Sequence, residues 1–235
     1  MRVDAYTAGS ILHVIKRGAR GTAIVRNDSD RKHFVRSLFY LNDEYQDANW
    51  QKAIKHIPHL ARPSHWPKQK RLVDIFAWTL MSNHFHLIVR ALSEKAVGRF
   101  MQRIAGSMSA RFNAKYQEHG SLFQGAYKGR IVEKDEDLRW LASYVMAKNT
   151  FELYPGGFQN AVKKFDKAWQ WAIKYPFSSI GVYAENISSP IITIEDNTTF
   201  KIFEDAKEFK NNSRDMLIHF AEKNTVADYN SLTLE

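Results

Sequence analysis

The segment VDIFAWTLMSNHFHLIVRAL, residues 73–92, constrains the fold of this chain more than any other stretch. It contains two runs of largely apolar residues, 73–81 and 84–92, which are separated only by Ser82 and Asn83. Two strand-like runs joined by two residues are typical of a tight β-hairpin. The segment therefore predicts a pair of adjacent antiparallel strands.

Regular elements on either side of this hairpin complete a recognisable order. Residues 10–18 alternate like a strand, and capping-type residues from Asp28 onward open a helix. Residues 94–117 carry an apolar stripe at helical spacing, and a glycine-interrupted strand over 121–133 leads into a helix over 133–149. The first six elements have the βαββαβ order of a ferredoxin-like α+β domain with an antiparallel sheet.

The charge of the chain points to the class of its partner. There are 34 Lys and Arg against 25 Asp and Glu, a formal net charge of +9, which favours a polyanion such as nucleic acid. Residues 55–71 contain three of the prolines and the basic residues Lys68, Lys70 and Arg71. Three prolines exclude a continuous helix or strand, so this segment is either a solvated linker or a loop that contacts phosphates.

Composition also excludes several classes of protein. There is no cysteine, which excludes disulfides, thiolate metal sites and cysteine nucleophiles. No apolar run approaches the ~18 residues of a transmembrane helix. The N-terminus lacks the basic-then-apolar layout of a secretory signal. We therefore expect a cytoplasmic protein.

Two histidines begin the second strand of the hairpin. Residues i and i+2 of a strand point to the same face, so His84 and His86 project side by side while Phe85 and Leu87 face the other way. Two imidazoles so placed are able to share one cation. The spacing alone leaves open whether they bind a metal or are two ordinary strand histidines. His13, on the first strand, is interpreted as a strand histidine with satisfied hydrogen bonds.

Several stretches together resemble a known family. WTLMSNHFHLIVR, residues 78–90, is similar to the His-hydrophobic-His motif of the HUH-type single-strand DNA transposases with one catalytic tyrosine. This IS200-like group includes the REP-associated tyrosine transposases. Other stretches agree in the same order: LHVIKRG (12–18), HGSLFQGAYKGRIVE (119–133), LRWLASYVMAKN (138–149) and YPFSSIGVY (175–183). The resemblance spans about residues 10–150.

The resemblance implies an enzyme and a chemistry. It makes His84 and His86 ligands of a divalent metal, Mg or Mn, and Tyr144 the nucleophile that attacks single-stranded DNA beside a hairpin. Attack leaves a 5′-phosphotyrosine link and a free 3′-OH, which later reverses the step on another strand. A cation would favour the phenolate of a group whose ordinary pKa is about 10, and imidazole nitrogens suit Mn better than Mg.

The third metal ligand departs from the family pattern. Relatives commonly have an amide or carboxylate four residues after the tyrosine, whereas this chain has Lys148 there and Asn149 one residue later. Five residues rotate a side chain ~140° around an α-helix, so Asn149 reaches the metal only if the helix loosens. We assign Asn149 as the third ligand, with Glu133 or water as alternatives. Lys148 would bind the scissile phosphate instead.

Residues for DNA contact follow from the same resemblance and from charge. Arg17, Gln124, Tyr127 and Lys128 lie in matching stretches, although they are equally explained as structural polar residues on a bent strand. We add Lys148 and the loop residues Lys68, Lys70 and Arg71, and expect Trp66 and Phe123 to stack on unpaired bases.

The domain division follows from the extent of the resemblance. Residues 1–150 would form the transposase domain, and a mainly helical extension over 151–235, with a last helix at 203–223, would pack on it or contact DNA. The family usually acts as a dimer, and both a homodimer and a monomer are compatible with the sequence. No small-molecule cofactor and no membrane partner are expected.

Two other functions compete with the transposase. One is a nucleic-acid-binding descendant that no longer catalyses, which the presence of Lys148 in the ligand position favours. The other is a metallohydrolase that uses His84 and His86 without the tyrosine. Retention of both histidines together with Tyr144 favours the transposase, because a protein that only binds DNA has no chemical need for them.

Overall fold

The computed structural model describes residues 4–193, 202–223 and 234. Its strands are β1 (Ile11–Arg17), β2 (Val73–Leu80), β3 (His84–Ala91) and β4 (Lys128–Ile131). They form one sheet in the order β2, β3, β1, β4, in which every neighbouring pair is antiparallel. One helix follows β1 and another follows β3, so this is the ferredoxin-like topology, and the predicted fold class is confirmed.

The helices accompany and follow this sheet. They are α1 (Asp28–Tyr40), α2 (Trp50–Ala53), α3 (Ala96–Tyr116), α4 (Asp135–Ser143), α5 (Asn149–Glu152), α6 (Gly157–Lys163), α7 (Phe165–Ala172), α8 (Ile180–Ala184) and α9 (Ala206–Lys223). A π-helical segment, Tyr144–Lys148, joins α4 to α5. None of the described helices is long and apolar enough to cross a bilayer.

The first helix begins where its capping residues predict. The Asn27 side chain accepts a hydrogen bond from the backbone of Asp30, and the Asp30 carboxylate accepts one from the backbone of Asn27. This reciprocal arrangement satisfies backbone donors that would otherwise lack partners at the helix start. The apolar face of α1 then packs on the sheet, where Phe34 contacts Phe85 with ring centroids 4.9 Å apart.

The strand predicted over 121–133 is much shorter in the structure. Only Lys128–Ile131 pairs continuously with β1, and Phe123 makes an isolated bridge with Gly18. Gly125 adopts a positive φ of 58°, which breaks the strand between these two contacts. Phe123 and Trp66 are buried, at 4% and 8% exposure, so the prediction that they stack on unpaired bases is wrong.

The two faces of the sheet carry separate apolar cores. Phe85, Leu87 and Val89 belong to the core formed with α1 and α3, which we call the helical face. Ile88 faces the other side and packs with Tyr144, with α4 and with helices from the C-terminal part of the chain. We call this second side the histidine face. The C-terminal helices therefore pack on the sheet, and the division of the chain near residue 150 stays a prediction.

Candidate active site

Three histidines lie together on the histidine face of the sheet. His86 Nδ1 is 2.9 Å from His13 Nε2, and the two rings stack with centroids 5.2 Å apart. The His84 ring lies edge-on to His86, with centroids 4.9 Å apart, and its Nδ1 donates to Asn83 Oδ1 at 2.6 Å. His13 and His86 are fully buried and His84 nearly so. The strand spacing thus produces the adjacent pair that it predicted.

These hydrogen bonds select particular tautomers. His84 donates through Nδ1 to a side-chain oxygen, so its neutral form carries the lone pair on Nε2. His86 has the same tautomer when its Nδ1–H donates to His13 Nε2. Metal-binding histidines commonly use such a partner on the second nitrogen to fix ring orientation. His84 is therefore held as an Nε2 ligand would be, and His86 is held in the same way when its Nδ1 is the donor.

The π-helical segment changes which residues lie beside Tyr144. The backbone N–H of Asn149 donates to the carbonyl of Tyr144, five residues earlier, instead of to a carbonyl four residues earlier. One additional residue per turn brings the residue five positions later back toward the first. The loosening that the sequence required for Asn149 is therefore present, and Asn149 as well as Lys148 comes to the side of Tyr144.

Tyr144 is enclosed by aromatic rings. It is 1% exposed, stacks on Trp140 with centroids 5.5 Å apart, and meets the edge of His86 at 5.9 Å. Phe220 of α9 lies against the same ring at 6.3 Å. The phenol and the histidine pair therefore share one enclosure between the sheet and the helices of the histidine face.

Lys148 contacts the phenol oxygen directly. Its Nζ lies 3.4 Å from Tyr144 Oη and 4.8 Å from the centre of the tyrosine ring. The same ammonium pairs with Glu152 at 2.9 Å, although Lys148 is only 2% exposed. A positive charge beside a phenol oxygen stabilises its anion. Lys148, which occupies the position of the usual third metal ligand, therefore contacts Tyr144 itself.

Asn149 offers donor atoms suited to a cation site. Its side chain is fully buried, and neither its Oδ1 nor its Nδ2 has a hydrogen-bond partner among the described residues. An unsatisfied buried amide costs about 1–3 kcal/mol, which a ligand would offset. The described residues contain no cluster of three His, Cys, Asp or Glu able to hold a metal, and Asn149 as the third ligand stays a prediction.

Part of the predicted DNA-binding set lines a cavity next to the histidines. Arg17 pairs in register with His84, and together with Gln124 and Lys128 it lines a cavity of about 470 Å³. Lys128 Nζ donates to the carbonyl of Leu234 at 2.9 Å. A basic, open cavity beside the candidate metal ligands is suited to the phosphates that flank a reacting bond.

Tyr127 lies elsewhere, because successive residues near a strand point to opposite faces. It lines a groove along α3 on the helical face. Burial and the neighbouring Tyr6 raise the pKa of Tyr127 to about 12, so it is neutral at physiological pH. Lys16 lies in the same groove and donates to the carbonyl of Gly125 at 2.6 Å, and burial lowers its pKa.

The predicted loop residues lie at the opposite end of the sheet from the histidines. Lys68, Lys70 and Arg71 precede β2, and the hairpin with His84 follows its other end, roughly 20–25 Å away. Lys70 lies 3.7 Å from Glu44, and Arg71 pairs with Asp74 at 3.4 Å. The structure does not bring these three residues to the site, and their role in DNA binding stays a prediction.

Sequence reasoning missed the contribution of His13. Its interpretation as a satisfied strand histidine is correct as far as it goes, but its partner is His86 rather than a structural group. The pairing of Leu12 with Val89 and of Ile15 with His86 sets His13 diagonally across from His86 on one face. Only the strand register, which no local pattern reveals, could have shown this.

Comparison with known proteins gives one family match, which covers less than half of the chain. Residues 50–148 match the family model described as Transposase IS200 like. The resemblance to the IS200-like transposases is confirmed over this segment. The IS200-like segment includes His84, His86 and Tyr144 and ends at Lys148. It thus contains the histidine pair and the tyrosine but neither His13 nor Asn149.

No curated protein matches the sequence of this chain. A solved structure described as a REP-associated tyrosine transposase bound to a REP hairpin aligns with 86% of this chain and 94% of that chain, at 14% identity and a TM-score of 0.45.

Proposed function

We propose that this protein is a metal-dependent single-stranded DNA endonuclease and strand transferase that uses Tyr144 as its nucleophile. The observation that carries the proposal is the contact of Tyr144 with His86 in one buried enclosure, where His84 lies beside His86 and Asn149 lies in the π-helical turn that begins at Tyr144. A nucleophile, an adjacent cationic group and candidate metal ligands are the parts that a tyrosine phosphodiester transfer requires.

The reaction breaks one bond and makes another of the same kind. The Tyr144 oxygen attacks the phosphorus of a DNA phosphodiester, the bond from phosphorus to the 3′-oxygen breaks, and the leaving oxygen takes a proton. The product is a 5′-phosphotyrosine and a 3′-OH. Attack of a 3′-OH on this link releases Tyr144 and rejoins the strands, so no external energy source is needed.

Each residue of the candidate site has a separate role in this reaction. Lys148, 3.4 Å from the phenol oxygen, stabilises the anion that forms as Tyr144 loses its proton. His84, His86 and Asn149 would hold a divalent cation, with Mn better matched than Mg to two nitrogens. Such a cation supplies Lewis-acid polarisation of the phosphoryl oxygen. His13 fixes the orientation of His86.

Access to Tyr144 has a structural requirement. The phenol is 1% exposed, and Phe220 of α9 contacts its ring. A DNA phosphate must approach the phenol oxygen closely for attack, so the residues that cover Tyr144 have to move when DNA binds. Arg17, Gln124 and Lys128, which line the neighbouring cavity, would hold the flanking phosphates.

The test is an assay for a covalent protein–DNA adduct. We would incubate the protein with Mn²⁺ and labelled hairpin oligonucleotides from the DNA flanking its own gene, then separate the products on a denaturing gel. Tyr183→Phe is the matched control, because it removes a tyrosine hydroxyl that donates to the carbonyl of Phe76 at 2.7 Å, on a ring that contacts Phe203 and Phe209.

The expected result is a metal-dependent adduct that is lost in Tyr144→Phe and retained in Tyr183→Phe. Binding without any adduct or nick would support the non-catalytic descendant instead. Metal-dependent cleavage that survives in Tyr144→Phe would support the metallohydrolase.

A further inference from the structure

Three polar side chains follow one another along the helical run that begins at Tyr144. Lys148 lies four residues after Tyr144, and Glu152, the last residue of α5, lies four residues after Lys148. The Lys148 ammonium is 3.4 Å from the phenol oxygen of Tyr144 and 2.9 Å from Glu152 Oε1. One nitrogen atom therefore contacts both the candidate nucleophile and a carboxylate.

The two neighbours of Lys148 differ in their exposure to water. Tyr144 and Lys148 are buried, whereas the Glu152 side chain is 36% exposed. The ring of Phe220 covers the ammonium, with Nζ 5.3 Å from the ring centre. Glu152 thus lies at the rim of the enclosure, and the ammonium that it contacts lies inside.

A lysine ammonium does not ordinarily stay inside such an enclosure. It is strongly hydrated and sits on a flexible four-carbon stem, which tends to carry the charge toward solvent. An ion pair offsets part of the cost of taking the charge out of water. The carboxylate of Glu152 meets the Lys148 ammonium at a point from which the same nitrogen reaches Tyr144 Oη. This pair therefore opposes the movement of the ammonium away from the phenol.

Glu152 has a second effect that acts on DNA directly. A DNA phosphate must approach Tyr144 for the reaction, and a carboxylate at the rim of the enclosure repels it. If the charge acted on DNA alone, removal of Glu152 would strengthen DNA binding and leave the chemical step unchanged. A role through Lys148 predicts a slower chemical step with no loss of DNA affinity. The two effects are therefore separable by experiment.

We propose that Glu152 is a positioning residue that holds the Lys148 ammonium against the Tyr144 oxygen, so that the positive charge is in place when the phenol loses its proton. This inference rests on the proposed function. In this role Glu152 touches neither the DNA nor the reacting atoms and acts only through Lys148. Its removal should therefore change the rate of phosphodiester cleavage and the position of the Lys148 amine.

The kinetic test uses three variants. Glu152→Gln keeps the size of the side chain and removes its charge, and Glu152→Asp keeps the charge on a shorter side chain. Glu136→Gln is the matched control, because it removes an exposed carboxylate from the first turn of α4, which leads into the same helical run. Single-turnover nicking of a cognate hairpin at saturating Mn²⁺ is measured over a range of DNA concentrations, which gives the maximal rate and the half-saturating concentration.

For Glu152→Gln we expect a maximal rate about 10-fold below the wild-type value, because a small displacement of an aligned group already slows a reaction. The half-saturating DNA concentration should stay the same or fall, since a charge that repels phosphates is gone. Glu152→Asp should recover part of the rate, and Glu136→Gln should keep the wild-type rate.

The position of the amine is tested without any reaction on DNA. Reductive methylation of the native protein labels lysine amines that reach solvent, and mass spectrometry of chymotryptic peptides gives the extent of labelling at Lys148. We expect Lys148 to be labelled faster in Glu152→Gln than in the wild type. Unchanged labelling of the other lysines would show that the variant keeps its fold.

Three results would overturn this inference: an unchanged or higher maximal rate in Glu152→Gln, a rise in its half-saturating DNA concentration alone, or equal labelling of Lys148 in the variant and the wild type. Each of them leaves the proposed function intact when the wild type forms the Tyr144 adduct. A wild-type protein that forms no such adduct would overturn the proposed function and this inference together.

Discussion

The two faces of strand β3 bury different kinds of side chain, although the residues concerned are neighbours in the sequence. Phe85 points into a core of apolar side chains from α1 and α3, whereas His86, its neighbour, points into an enclosure with a tyrosine and two further histidines. Both residues are fully buried. Apolar burial on the helical face stabilises the fold, while the buried polar groups of the histidine face bring no comparable hydrophobic stabilisation and need specific partners.

This difference shows that a buried residue is not necessarily one that stabilises the fold. The fully buried side chains of His13, His86 and Asn149 are polar and come from three separate parts of the chain. Placing them together is costly unless their hydrogen bonds or a ligand offset the desolvation. Buried polar groups therefore contribute less to stability on the histidine face than apolar groups do on the helical face.

The largest expected effect is on stability, from Phe85→Ala. Phe85 is fully buried and contacts Phe34 and Phe123, so truncation should lower the free energy of unfolding by about 3–5 kcal/mol. Urea unfolding followed by fluorescence measures this change. Cleavage per folded molecule should stay close to the wild-type value, and a specific loss of cleavage in a folded Phe85→Ala protein would break the separation of the two faces.

The next effect is on activity, from His86→Ala. Loss of this imidazole should lower metal-dependent cleavage on the order of 10²- to 10³-fold, as removal of a group that stabilises charge in a transition state does. Single-turnover nicking of a cognate hairpin at saturating Mn²⁺ gives the rate. The free energy of unfolding should fall less than in Phe85→Ala, and the reverse ranking of the two variants would contradict the comparison.

A third test concerns His33, which lies on the helical face. Since the pKa of His33 is lowered to about 4, its unfolded form binds a proton below pH 6.5 while the folded form does not. The stability that this group contributes is thus present above pH 6.5 and is lost as the pH falls toward 4, by up to about 3 kcal/mol. His33→Gln should unfold in urea with a smaller difference between pH 7 and pH 4.5 than the wild type. An unchanged difference would show that His33 is protonated in the fold.

The smallest effect concerns His13, which acts through His86. His13→Leu removes the hydrogen-bond partner of His86 Nδ1 and should weaken Mn²⁺ binding about 10- to 100-fold. His13→Gln keeps a side-chain acceptor and should lose less. Isothermal titration with Mn²⁺ separates the two variants, and equal affinities for wild type and His13→Leu would remove His13 from the metal site.

Local patterns predicted the sheet and the elements of the candidate site well. Each of these elements begins within two residues of its predicted start: the β-hairpin that contains His84 and His86, helix α1 and helix α3. Their starts depend on spacing or capping that the sequence shows directly. The strand before α4 was predicted too long, since the positive φ of Gly125 depends on how the chain turns past β1.

The site could be predicted only in part for a similar reason. The histidine pair and Tyr144 belong to motifs that a local reading detects. The π-helical segment at Tyr144–Lys148 could be stated as a requirement for Asn149 but not as a fact, because no local pattern in the sequence indicates a π-turn.

The measurement that tests the central claim most directly is identification of the amino acid to which DNA becomes attached. Trypsin cuts after Arg139 and Lys148 and releases the peptide WLASYVMAK, which has Tyr144 as its only tyrosine. We would form the adduct with Mn²⁺ and a cognate hairpin, digest the DNA and the protein, and map the residual nucleotide by mass spectrometry. The account predicts a 5′-phosphotyrosine on this peptide. Attachment to any other peptide, or cleavage of the hairpin with no attachment at all, would contradict it.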